Sequence, residues 1–97
     1  MPASVIVVAR FIAKPGKQDQ LRGVLEKLIP PTRRELGCYA FDLMANSTEP
    51  REMLLYEKWD GHKALDHHLD AAYVQSAMPV IEDLVEEPPD IRRYVYP

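Results

Sequence analysis

The chain is poor in the residues that carry most familiar chemistries. Its 97 residues include a single cysteine, Cys38. One thiol cannot build an intramolecular disulfide framework, and such usage fits a reducing compartment. A small buried residue opening a strand is the simplest reading of Cys38. The four glycines form no glycine-rich phosphate loop, and no nucleophile-elbow motif supports Ser-His-Asp chemistry. No apolar run is long enough to span a bilayer. Met1-Pro2-Ala3-Ser4 leads into a short apolar stretch without a basic leader, so no signal peptide is expected and a cytoplasmic location is the default. Charge of one sign is lacking too. Lys and Arg are dispersed and the net charge is −3, whereas nucleic-acid binders concentrate a basic face. The Arg33-Arg34 and Arg92-Arg93 pairs read as solvated surface. His62 and Asp66 share a helix face, but no convergent third or fourth ligand can be named, so no metal site is expected.

What is present describes a globular domain. Hydrophobic residues make up 46% and charged residues 28%, as in soluble proteins generally. The length suits one domain over residues 1–97. A chain this short buries a modest share of its surface, so a partner subunit would add core.

Hydrophobic spacing predicts the elements. Ser4 to Ala13 is apolar and β-branched at nearly every position and stops at Lys14-Pro15-Gly16, which predicts a strand buried on both faces. From Lys17 to about Leu36, Leu21, Val24, Leu25, Leu28 and Ile29 form one helical stripe. Pro30-Pro31 removes two N–H donors and predicts a kink, and Gly37 is a natural stop. Cys38 to Ala45 alternates, with Tyr39, Phe41 and Leu43 opposite Cys38, Ala40, Asp42 and Met44. After the turn-rich Asn46 to Pro50, Glu52 to Trp59 places Met53, Leu55, Glu57 and Trp59 opposite Leu54, Tyr56 and Lys58, and an antiparallel hairpin follows. Asp60 is a plausible N-cap for a helix to about Leu69. Tyr73 to about Glu86 is a second helical segment, with Val74, Ala77, Met78, Ile81, Leu84 and Val85 on one side and Pro79 able to open its latter half. Ile91 to Tyr96 reads as a last strand. The order β-α-β-β-α-β is the ferredoxin-like α+β arrangement with an antiparallel sheet. Both helices would cover one sheet face, and the apolar opposite face needs another cover. A second copy of the chain is the simplest, so a homodimer with sheets face to face is expected.

The segments VVARFIAKPGK, LIPPTRRELGCYAFDL, LYEKW, ALDHHL and EEPPDIRRY, in this order and spacing, resemble the antibiotic biosynthesis monooxygenase family across nearly the whole chain. The resemblance implies a dimeric α/β barrel and, within the family, the quinol monooxygenase branch. Such enzymes oxidise a small quinol, phenol or polycyclic aromatic substrate with O₂ and need no cofactor. Relatives also include anthrone oxygenases, haem-degrading enzymes and an isomerase of a sugar phosphate, so fold-level likeness leaves the chemistry open. An acid–base isomerase and a non-catalytic dimeric ligand-binding or stress module are the alternatives. Tyr73-Val74 stands where relatives carry His-Phe, and Leu55 where an oxygenase relative carries Asn. The first strand lacks the Asn of the haem-degrading branch.

Oxygenation without a cofactor begins by deprotonating the substrate, which requires a base near neutral pH and donors for developing charge. Histidine suits the base role, and family position points to His68, whose alternative is a structural helix histidine. His67, roughly 100° further round the helix, and His62 read as surface. Trp59 either stacks on a planar substrate or is a core tryptophan. Tyr73 would donate a phenolic hydrogen bond from the position of the missing His, while Tyr56, on the other strand face, reads as core. Arg10 and Asp42 are charges in apolar strands, so pairing or solvent access is expected. They would pair with each other, line the pocket, or sit at an open strand end. The expected pocket lies between sheet and helices, with catalytic His68 and Trp59, and with Tyr73, Arg10 and Asp42 binding substrate.

Overall fold

The computed structural model describes residues 4–97. Its elements are β1 (Val5–Ile12), α1 (Gln18–Arg33), β2 (Cys38–Ala45), β3 (Glu52–Trp59), α2 (Gly61–Leu69), α3 (Ala72–Leu84) and β4 (Asp90–Val95). The sheet order is β2-β3-β1-β4, with every neighbour antiparallel. This is the ferredoxin-like α+β fold, in which the second helical limb is divided into α2 and α3.

Alternation builds the core. Val5, Val7, Ala9 and Phe11 of β1 and Met53, Leu55 and Trp59 of β3 are buried under Leu21 and Leu25 of α1, Leu65 of α2 and Ile81 of α3. The intervening Ile6, Val8, Arg10 and Ile12 are only half-buried. Within one chain, then, β1 is buried on a single face, and its other face is the half-open outer surface of the sheet. Tyr56 belongs to that outer surface, half-buried beside Ile6 and Val8, and not to the core.

Helices α1 and α3 run through their prolines without interruption. Pro30-Pro31 lies in the last turn of α1, and Pro79 is interior to α3. Asp60 does precede α2, but its side chain makes no capping bond. Met78 of α3 is 41% exposed and stands outside the core stripe.

The link from α1 to β2 is the tightest point of the fold. Gly37 has φ +87°, and a Cβ there would stand 2.9 Å from Ala64 Cβ. Its carbonyl accepts the Asp60 N–H at 2.8 Å. Only glycine takes this backbone conformation without cost, and its small size lets the link dock against the start of α2. A register shift between Cys38 and Ala40 follows. It rotates the start of β2, so Cys38 lies opposite Trp59 while Phe41 lies opposite Glu57 on the buried face. Tyr39 is thereby turned outward, 61% exposed, in place of the inward position that strict alternation predicts.

Candidate active site

Three polar residues are buried in the layer between sheet and helices: Thr32, Glu57 and His68. They form one cluster with Glu35, Trp59 and Tyr73. Helix α2 buries Leu65 and His68, one turn apart on the same face, while His67 points outward with its side chain 87% exposed. The turn after α1 brings Glu35 beneath His68, and Glu35 Oε2 lies 2.6 Å from His68 Nδ1. Tyr73, on α3, donates its hydroxyl proton to the same carboxylate oxygen. That hydroxyl also lies 3.0 Å from Thr32 Oγ1. Since the tyrosine has only one proton to give, Thr32 is the donor to it.

This chain of bonds sets the histidine tautomer. A carboxylate only accepts, so Nδ1 carries the proton and Nε2 presents the basic lone pair. Nε2 has no hydrogen-bond partner among the described residues. The imidazole packs with its centroid 4.7 Å from the Trp59 indole and 5.8 Å from the Phe41 ring. Burial, reinforced by the hydrogen bond to Glu35, pushes the Tyr73 phenol up to about 12, so it stays a donor throughout the neutral range.

On the other side of the indole, Trp59 Nε1 donates to Glu57 Oε1 at 2.9 Å. Glu57 is 6% exposed, and no cation pairs with it among the described residues. Desolvation, only partly offset by the indole N–H, pushes its carboxyl up to about 7. Burial, with Glu57 and Glu35 nearby, also raises the Cys38 thiol.

Of the residues singled out from sequence, the structure brings His68, Trp59 and Tyr73 together. Arg10 lies on the opposite face of the sheet. It pairs with Glu52 at 3.0 Å and lines a cleft with Val8, Leu54 and Tyr94. Asp42 pairs with Arg33 at 3.0 Å, so the Arg10–Asp42 pair is not formed. Each charge instead finds a closer partner at its own end of the sheet. Asp42 does line a cleft of about 320 Å³ at the β2 edge with Arg33, Cys38, Tyr39, Ala40 and Phe41. Phe41 belongs both to that cleft and to the wall of the buried cluster. The four residues of the arginine pairs lie exposed on the surface, as expected. Arg33 bonds the Phe41 carbonyl and Asp42, and Arg93 bonds Asp66 and His62.

Sequence reasoning passed over Glu35 and Glu57. Glu57 did leave a signal, since it alternates with Met53, Leu55 and Trp59 on the inward face of β3. Glu35 left none, because its position depends on how the Gly37 turn docks. Among the described residues no group of three or more His, Cys, Asp or Glu is arranged to hold a metal ion, and no helix is long and apolar enough to cross a membrane.

The family model described as antibiotic biosynthesis monooxygenase matches residues 4–80. Rv0793 of Mycobacterium tuberculosis, provisionally designated a monooxygenase, is 33% identical over 88 residues, covering 91% of this chain and 86% of its own. YcnE of Bacillus subtilis, designated likewise, is 25% identical over 89 residues, covering 92% of this chain and 94% of its own. The crystal structure of SO0527 from Shewanella oneidensis superposes with a TM-score of 0.92 at 33% identity, covering 99% of this chain and 93% of that one.

Proposed function

Because this chain belongs to the antibiotic biosynthesis monooxygenase family, we propose that it is a cofactor-independent monooxygenase of a small quinol or phenolic aromatic compound. The observation that carries this reading is the buried Glu35–His68 pair, at 2.6 Å, which leaves Nε2 as a base against the Trp59 face. The overall change is SH₂ + O₂ → SO + H₂O. One oxygen atom enters the substrate, the other leaves as water, and the substrate supplies all the electrons.

The parts divide as follows. His68 Nε2 removes a proton from the substrate, and Glu35 stabilises the imidazolium that results. Tyr73 and Thr32 act through Glu35 and are positioning residues, since their hydroxyls are spent on it and on each other. The Trp59 indole, fully buried with the imidazole packed on it, holds the His68 ring in place. The β2-edge cleft is large enough for a one- or two-ring aromatic. From it, a turn of the Phe41 ring gives the substrate access to His68, with the Arg33–Asp42 pair at the mouth to meet its hydroxyl groups.

The active unit is a homodimer. The outer sheet face carries an apolar cleft of about 400 Å³ lined by Ile6, Val8, Tyr56, Tyr94, Val95 and Tyr96. Ile91, Tyr94, Val95 and Tyr96 are each about half exposed or more. A second copy of the same face covers this surface with matching chemistry.

The buried acid Glu57, bonded to the indole on which His68 packs, also suits an isomerase that moves a proton within a substrate. The two readings separate in one experiment: O₂ uptake by metal-stripped protein with a panel of hydroquinones and anthrones, corrected for spontaneous oxidation. Uptake that is lost in His68→Ala supports the monooxygenase. Substrate C–H exchange with solvent deuterium, without uptake across the panel, supports the isomerase and refutes the oxygenase.

A further inference from the structure

Glu57 is the one buried acid that the reaction so far leaves without a task. Its surroundings are unusual for a structural carboxylate. It lies under the helices on the inward face of β3, opposite Phe41 in the β2 register, and the indole N–H of Trp59 is its hydrogen-bond donor. A buried carboxylate normally has a cation or several donors. The groups facing it from the surrounding elements supply no cation. Cys38 of β2 is near enough for Glu57 to raise its thiol, and Glu35 of the α1–β2 turn and Tyr73 of α3 interact with Cys38 and with each other. His68 of α2 is already bonded to Glu35. Arg93, on the same sheet face beyond β1, spends its guanidinium on Asp66 and His62. Glu57 and His68 therefore share one indole, the acid at its edge and the base on its face.

We propose that Glu57 is a catalytic acid that protonates the peroxide intermediate, working in alternation with His68. The inference rests on the monooxygenase reading and assigns the half of that reaction that follows O₂ addition. His68 Nε2 takes the first substrate proton, and the carbanion forms a C–O bond with O₂, giving a peroxide anion. Glu57 protonates the terminal oxygen, which prevents loss of the peroxide as a reduced oxygen species. The ionised Glu57 then removes, as a proton, the hydrogen that remains on the carbon bearing the peroxide. The C–H electron pair becomes the carbonyl bond, the O–O bond breaks, and the departing hydroxide takes the proton held on His68. Both residues return to their starting states, and the sum is SH₂ + O₂ → SO + H₂O. A carboxyl that desolvation holds protonated up to about 7 is suited to the first of these duties.

The test is Glu57→Gln, whose amide oxygen still accepts the indole N–H but which has no proton to give. Wild type and variant are compared for O₂ consumed, oxygenated product formed and hydrogen peroxide released, with circular dichroism verifying the fold. The variant is expected to form product at least about tenfold more slowly and to release hydrogen peroxide for most of the O₂ it consumes, while wild type releases little. In wild type, the ratio of peroxide to product should rise with pH as Glu57 ionises. A variant that keeps the wild-type ratio, whatever its rate, overturns the proposal, since a structural role lowers uptake and product together. If the variant does not fold, the pH dependence of that ratio in wild type decides, and a flat ratio overturns the proposal. Wild type that consumes no O₂ overturns the monooxygenase reading itself, and this assignment with it.

Discussion

Replacing Glu57 by Gln should stabilise the protein more as the pH rises, and the size of that trend follows from burial. The Glu57 carboxyl titrates at about 7 in the fold against 4.5 as its ordinary value, with desolvation as the leading cause. A folded-state value above the unfolded one means that the native protein binds the extra proton. The associated stability is fully present below about pH 4.5 and is lost as pH rises through about 7. At about 1.4 kcal/mol for each pH unit across that interval, the total is roughly 3 kcal/mol. Glutamine keeps the bond to Trp59 but does not ionise. Its extra buried donors cost about 1–2 kcal/mol, an amount that does not vary with pH. The difference in unfolding free energy between variant and wild type should therefore shift by about 3 kcal/mol in favour of the variant from pH ~4.5 to ~8. Urea unfolding at several pH values and one protein concentration measures it, and the contributions of the other titrating groups largely cancel in the difference. A pH-independent difference would refute the reasoning, because it would mean that Glu57 ionises in the fold as it does in water.

Three further outcomes follow from other contacts. Trp59→Phe removes the donor that lowers the Glu57 carboxyl, so the titration midpoint of Glu57, followed by its infrared carboxyl band, should move up; a fall would contradict the assigned bond. Gly37→Ala puts a Cβ at 2.9 Å from Ala64 Cβ with φ at +87°, and should cost about 1–3 kcal/mol. That is a drop of roughly 4–20 °C in the melting temperature for a domain of this size, and no change would show that the α1–β2 link is looser than described. Val8→Asp places a charge on the outer sheet face between two clefts. Light scattering should find wild-type dimers and variant monomers, and a wild-type monomer would remove the second copy from the account.

The fold was legible because alternation and helical spacing are local. Met53 to Trp59 could be assigned faces residue by residue and the βαββαβ order followed, whereas Val5 to Phe11, apolar at nearly every position, read as buried on both faces although one chain covers only one. The features that escaped depend on backbone irregularity or long-range docking. The register shift between Cys38 and Ala40 reverses the expected face of Tyr39, and nothing in CYAFDLMA marks it. Pro30-Pro31 and Pro79 read locally as kinks or starts, yet α1 and α3 run through them. In the site, His68, Trp59 and Tyr73 came from family position together with the strand pattern. Arg10 and Asp42 were grouped with them on charge alone, and charge does not reveal which sheet face a strand residue occupies relative to a helix residue. Glu35 became visible only when the Gly37 turn set it under His68.

The central claim is that this chain oxygenates its substrate with O₂ alone, using His68 as the base. The most direct measurement is mass spectrometry of product and water after metal-stripped protein turns over a responsive quinol or anthrone under ¹⁸O₂, with His68→Ala alongside. The account requires one labelled atom in the product and one in water, with both labels lost in the variant. Product that carries no label, or labelling that persists without His68, would contradict it.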